Sequence, residues 1–199
     1  TTDEQGNAFI TAYNIDDIYN IYEVDRIQSN PGSNSIPHNS HVDGNFLVTS
    51  YYTNGTVVHD ITYPENIVEV AYYDSYPGSG WGFDGCWGTY PFLPSGNIIS
   101  SDINSGPNGT GKLLIYSRGF QQACHLEGNI TDQTNGNPIS NANVSLLNTS
   151  YLSTSNLNGF YQISSLDSGL YDLIVSAFGY ENDTISVLMD NGVVSNLNI

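Results

Sequence analysis

An all-β chain in two parts is what this sequence predicts, and three observations carry the prediction. Apolar and β-branched runs are short and bounded by Gly, Asn, Asp or Pro. The polar residues are dominated by Asn, Ser, Thr, Gly and Tyr, a mixture that suits strands and turns rather than helices. A hairpin unit also recurs: "GNFLVTSYYTNGTVVHDI" has a weaker copy in "GNAFITAYNIDDIYNIYEV".

The strands of the first part are read in order as "AFITAY", "IYEVDRI", "NFLVTSYY", "TVVHDI", "IVEVAYY" and "NIISSDI", with "LLIYSRGF" after them. Between the third and fourth, "TNGT" offers the Asn-Gly pair that a two-residue type I′ turn requires. From residue 123 the pattern changes. "LEGNITD", "GNPISNANVSLLN", "SNLNGFYQI", "SGLYDLIVSAFGY", "DTISVLM" and "VVSNLNI" read as the strands of a second domain. Alternation puts Ala142, Val144 and Leu146 on one face, and Tyr171, Leu173, Val175 and Ala177 on another.

Composition narrows the partners. Against 20 Asp and Glu stand only three Lys and Arg, for a formal charge of −17 in 199 residues. Nucleic acid and anionic membrane surfaces are repelled by such a chain. Self-repulsion of that size is relieved by salt or divalent cations, which points to a saline or calcium-containing medium. The opening "TTDEQG" has neither a basic n-region nor an apolar h-region, so a processed or partial chain is expected, and no apolar run is long enough to insert in a membrane.

The two cysteines, Cys86 and Cys124, fit neither a CxxC redox pair nor a zinc cluster. A disulfide is the expectation, closing about 38 residues and stabilising by about 3 to 4 kcal/mol. "GPNGTGKL" has Gly106, Gly111 and Lys112 at P-loop spacing, but Leu113 stands where a magnesium-binding Ser or Thr belongs, and a strand follows instead of a helix. His38, His41, His59 and His125 are too scattered for zinc, and His59 beside Asp60 is no catalytic pair, because neighbours on a strand face opposite ways. Asp102 and Asn104 offer oxygens at calcium-loop spacing without the acidic residue that completes an EF-hand, so a self-capped turn competes with calcium there. Trp81 and Trp87 lie in a Gly-rich aromatic segment able to stack on sugar rings or to pack as a crossing between sheets. Six N-x-S/T sequons begin at Asn54, Asn108, Asn129, Asn143, Asn148 and Asn182.

Two resemblances add to this. "PHNSHVDGNFLVTSYYTNGTVVHDITYPENIVEVAYYDSYPG" followed by "GFDGCWGTYPFLPSGNIISSDINSG" resembles the LVIVD-repeat proteins of the choice-of-anchor B family over residues 1–122, which implies propeller-blade-like antiparallel sheets. "PNGTGK" intervenes where a strand would usually follow, and two to three blade-like units fall short of the four or so that close a propeller. Sheet edges left open in this way are templates for assembly. Residues 123–199 resemble the carboxypeptidase regulatory-like domain, a small seven-stranded sandwich of transthyretin-like or immunoglobulin-like type that serves as a spacer and holds no catalytic residue. "DTI" at Asp183 to Ile185 resembles the short O-glycosylation signal of Bacteroidetes secreted proteins, which implies a sugar on Thr184.

The expectation is therefore a secreted or cell-surface, non-enzymatic structural or adhesive protein. It self-associates as a homo-oligomer or filament through β-strand edges, with no cofactor unless calcium. The alternative is a carbohydrate- or calcium-binding accessory module of a larger secreted protein. A third reading, a fragment of a secreted hydrolase, rests on the association of regulatory-like domains with peptidases.

Overall fold

Sixteen β-strands and one 3-10 turn account for the regular structure of the computed structural model, which describes residues 1–199. The chain forms two compact units, Thr1–Phe120 and Gln121–Ile199.

The first unit is a run of antiparallel meanders. β1 (Ile10–Asn14) and β2 (Tyr22–Ile27) form a two-stranded sheet. β3 (Ser40–Asp43), β4 (Phe46–Ser50), β5 (Thr56–Asp60) and β6 (Val68–Tyr73) form a four-stranded sheet in sequence order. β7 (Cys86–Tyr90), β8 (Ile98–Asp102) and β9 (Lys112–Tyr116) form a third. The 3-10 turn, Pro107–Gly109, precedes β9, so Lys112 opens a strand and not a phosphate-binding helix.

Strand alternation decides how these sheets meet. Tyr51 and Val57, with Leu47, pack against Ile10 and Ile27 of the first sheet. Val48 and Val58, one position on, pack with Phe46 against Ile98 and Tyr116 of the third. The four-stranded sheet is thus covered on both faces, and every residue of β5 is buried, including His59 and Asp60. Period-2 reading assumes one wet face, which a strand in the middle layer lacks.

The β4–β5 connection departs from the expected two-residue turn. Ser50 pairs with Thr56, and the loop Tyr51 to Gly55 closes through Tyr51 N–H to Gly55 O (2.8 Å) and Gly55 N–H to Tyr52 O (3.0 Å). The left-handed positions are Tyr52 and Gly55, not Asn54, whose side chain is drawn inward instead. A Cβ on Gly55 would collide with the backbone of Tyr73 and Asp74, so glycine is required there for close approach as well as for its positive φ.

The second unit is a seven-stranded, two-sheet arrangement. β10 (Cys124–Asn129), β11 (Asn143–Leu146), β12 (Leu152–Thr154), β13 (Phe160–Ser165), β14 (Gly169–Ser176), β15 (Asp183–Met189) and β16 (Val194–Asn196) divide into sheets ordered β13-β10-β16 and β12-β11-β14-β15. β13 and β14 follow each other in sequence yet belong to opposite sheets. β16 pairs with β10 in parallel, His125 opposite Val194 and Glu127 opposite Asn196. Leu126 and Ile163 from one sheet meet Val144, Leu146, Leu173 and Met189 from the other in a single core. Ala142, Val144, Leu146, Leu173 and Val175 are buried as alternation predicts, with Tyr171 and Ala177 packed at the margin.

The disulfide expected between Cys86 and Cys124 is not formed: both thiols are free and buried. Cys86 lies inside the first unit with its Sγ 3.4 Å from Thr56 Oγ1, and Cys124 belongs to the core of the second. Cysteine behaves here as a small core residue, and burial pushes both thiols up from their ordinary pKa.

Candidate functional site

Trp81 and Trp87 are both surface residues of the first unit, 61% and 52% exposed. They end a line of rings in which Trp81 meets Phe83 (5.6 Å between centroids), Phe83 meets Tyr52 (5.2 Å), Tyr52 meets His38 (5.1 Å) and His38 meets Trp87 (5.8 Å). A second group joins Tyr90 to Phe92 (5.3 Å) and Phe92 to His41 (5.9 Å).

The line is held from beneath. Trp87 O accepts hydrogen bonds from His38 Nδ1 (2.6 Å) and Ser50 Oγ (3.2 Å), which ties β7 to the four-stranded sheet. Tyr52 and Cys86 exchange two backbone hydrogen bonds (3.0 and 2.9 Å). Tyr52 Oη donates to Glu4 Oε1 (3.0 Å), and His38 Nε2 lies 2.9 Å from the same oxygen. Burial, and secondarily Glu4, pushes the Tyr52 hydroxyl up to about 12, so it remains a donor at any ordinary pH. Rings fixed in this way, tilted or edge-on to one another over a buried Tyr52, leave Trp81, Phe83 and Trp87 as exposed apolar surface with the carboxylates of Glu4 and Asp84 close by. Sequence reading identified the two tryptophans and missed Glu4, His38, Tyr52 and Phe83, because the ring neighbours stand up to 49 positions apart, as His38 and Trp87 do.

A different surface lies on β7-β8-β9. Tyr90 stands opposite Ile99, and Ile99 opposite Ile115, on the face turned away from the buried Ile98, Ser100 and Thr89. This row ends on β9, which is bonded on one side only. Leu113 and Ile115 are 69% and 65% exposed. Of the chain's three basic residues, Lys112 opens that strand and Arg118 follows it. Arg118 is consumed internally by Asp43, Gly96 O and Pro91 O, whereas Lys112 has no carboxylate partner in the chain.

The remaining predicted sites are dispersed. Asp102 is buried in a turn: Ser75 Oγ donates to its Oδ2, and the backbone N–H groups of Asn104 (3.4 Å) and Ser105 (3.0 Å) donate to its Oδ1. Burial alone would raise its pKa, but these hydrogen bonds leave it lowered. Asn104 is likewise engaged, accepting from Gly85 N–H (2.9 Å) and donating to Asp84. The oxygens of the pair are therefore engaged by the protein, in their own turn and by Ser75 and Gly85. No group of three or more His, Cys, Asp or Glu is gathered as a metal site would need. Of the sequons, Asn108, Asn129, Asn143, Asn148 and Asn182 are exposed, as is Thr184 on β15. Asn54 is buried, and its Nδ2, the atom a glycan would occupy, donates to Ser29 Oγ at 2.6 Å. No helix is long and apolar enough to cross a membrane.

Comparison with known proteins adds one assignment. No curated protein matches the chain. Among solved structures, the crystal structure of GBS52, the minor pilin of the Gram-positive pathogen Streptococcus agalactiae, superposes with a TM-score of 0.32 at 13% identity over 72% of this chain and 66% of that one, a likeness too slight to assign fold or partner. Thus the chain spans less than two thirds of that pilin. The family model that matches is the CarboxypepD_reg-like domain, over residues 126–199, with residues 1–125 outside it. Residues 126–199, the seven-stranded part of the chain from Leu126 onward, are therefore a CarboxypepD_reg-like domain, as the resemblance of that region implied.

Proposed function

We propose that this chain is a non-catalytic structural module of the cell exterior, and that copies of it associate through the terminal sheet of the first unit. The observation that carries the reading is the outward row Tyr90, Ile99 and Ile115 running to the open edge of β9. The sheets of this unit already stack face to face, and the third carries the exposed apolar side chains of Tyr90, Leu113 and Ile115 on its outward face. A second copy supplies a matching partner, as a further blade would in the repeat proteins that residues 1–122 resemble. An exposed apolar edge strand is a template for pairing, and a contact between unlike surfaces that does not close into a ring propagates as a filament. Charge supports the same locus, since Lys112 places one of few cations there against an otherwise acidic neighbour.

Sedimentation velocity and negative-stain electron microscopy of the full chain test this. Wild type is expected to form oligomers or filaments with rising concentration, and Ile115→Lys with Leu113→Lys to remain monomeric. A wild type that stays monomeric at several hundred micromolar defeats the proposal.

A second reading is favoured by the ring line from Trp81 to Trp87: adhesion to glycans by stacking. Retention on an insoluble polysaccharide column, lost in Trp81→Ala with Trp87→Ala while sedimentation is unchanged, would separate it from self-association.

A further inference from the structure

A cavity of about 430 Å³ opens on the first unit, lined by Ser29, Asn30, Asn54, Glu69, Tyr72 and Asp74. Ser29 and Asn54 are its buried floor. Tyr72, 68% exposed, stands at its rim. Three separate stretches of chain bring these residues together, and neither the ring line nor the β9 row contributes to it.

The floor is a directed relay. Asn30 Nδ2 donates to Asn54 Oδ1 (3.2 Å) and Asn54 Nδ2 donates to Ser29 Oγ (2.6 Å), with Glu69 lining the same cavity. Behind Glu69 lies His59, fully buried, with neither ring nitrogen hydrogen-bonded and Nε2 3.9 Å from Glu69 Oε2. Burial holds that imidazole neutral, with its pKa down to about 4, so it gives Glu69 no counter-charge. No Lys or Arg lines the cavity. Burial pushes both Glu69 and Asp74 up, although Asp74 Oδ1 accepts the Tyr76 backbone N–H (2.8 Å).

Such a lining selects its ligand. Two carboxylates and no cation in the lining call for a molecule rich in donors and exclude an anionic one. A volume toward the low end of the roughly 300–1,000 Å³ typical of small-molecule pockets suits a compact ring rather than a bare ion. The aromatic rim discriminates further: Tyr72 is of no use to a calcium shell made of oxygens, but presents a face to the C–H side of a sugar ring. We infer that the Glu69–Tyr72–Asp74 cavity is a binding pocket for a neutral saccharide, with Glu69, Asp74 and the amides accepting and donating to its hydroxyls and Tyr72 stacking on its ring.

Isothermal titration calorimetry of the full chain with D-glucose, D-galactose and D-mannose, and separately with calcium chloride, tests the inference. At least one hexose is expected to bind with a millimolar Kd. Glu69→Gln and Tyr72→Ala should each weaken it about tenfold or more, and Trp81→Ala should leave it unchanged, which keeps this pocket distinct from the ring line. Circular dichroism of each variant verifies folding. The inference is overturned if no hexose gives saturable heat up to about 100 mM, if both pocket variants bind as wild type does, if Trp81→Ala abolishes binding, or if calcium saturates the cavity and no sugar does.

Discussion

Cys86 Sγ lies 3.4 Å from the Thr56 hydroxyl, inside the first unit and closed off from solvent. Cys124 is as fully enclosed in the second. Reagents that need an exposed thiolate are thus excluded twice over, by access and by raised pKa. A thiol-specific reagent such as Ellman's is expected to label neither cysteine in the native protein and both in denaturant without reductant. Absence of labelling in denaturant would reveal an oxidised pair.

His59 makes stability depend on pH. Its folded pKa of about 4 lies below its ordinary 6.5, so between these values the unfolded chain binds the proton that the native one refuses. Stability is therefore whole above about pH 6.5, falls as pH drops toward 4, and levels off below, a loss of about 3 kcal/mol. Glu69 acts oppositely, its raised pKa favouring the native state at low pH and losing that contribution as pH rises through the folded value. Both tryptophans are in the first unit, so their fluorescence reports it alone. Urea unfolding followed that way should show His59→Leu gaining on wild type by about 2 to 3 kcal/mol between pH 7 and pH 4.5.

Gly128 holds two strands close. A Cβ at this position on β10 would run into the carbonyl of Leu197, where the chain continues beyond β16 and where Tyr161 Oη also donates (2.8 Å). Gly128→Ala should cost about 1–3 kcal/mol, as overpacking does. Amide hydrogen exchange should then quicken first in residues 194–199.

Salt should promote association. Two copies carrying −17 each repel at long range, and that repulsion weakens as the Debye length shrinks from about 10 Å at 0.1 M to about 3 Å at 1 M. Sedimentation coefficients are expected to rise with sodium chloride at fixed protein concentration. Lys112→Glu should shift the transition to higher salt.

Much of the fold was legible because most strands carry their own signal. β4, β6, β8, β11, β14 and β15 are short apolar runs between turn residues, with alternation in β11 and β14, and strands form in each of the stretches so read. β3, β7 and β12 were not legible. The first and last are short edge strands whose membership is decided by a neighbour's backbone, and β7, "CWGTY", sits in a Gly-rich segment that reads as a loop. Layering was hidden as well: the burial of His59 and Asp60 follows from a sheet on each side of β5, and no spacing announces a second cover. Of the sites, the tryptophans were readable from their glycine-rich context. Asn54 was readable only as a turn residue and a sequon, since its partners Ser29 and Asn30 lie 25 and 24 positions away.

The parallel pairing of β10 with β16 has a mechanical meaning. These are the first and last strands of the CarboxypepD_reg-like part, and they run the same way, so tension applied to its two ends pulls the pair past each other lengthwise. The ladder from His125 N–H on Val193 O to Thr131 N–H on Ile199 O must then give way together, in shear, instead of unzipping one bond at a time. A domain tied off in this manner transmits pulling force along the chain with its core intact.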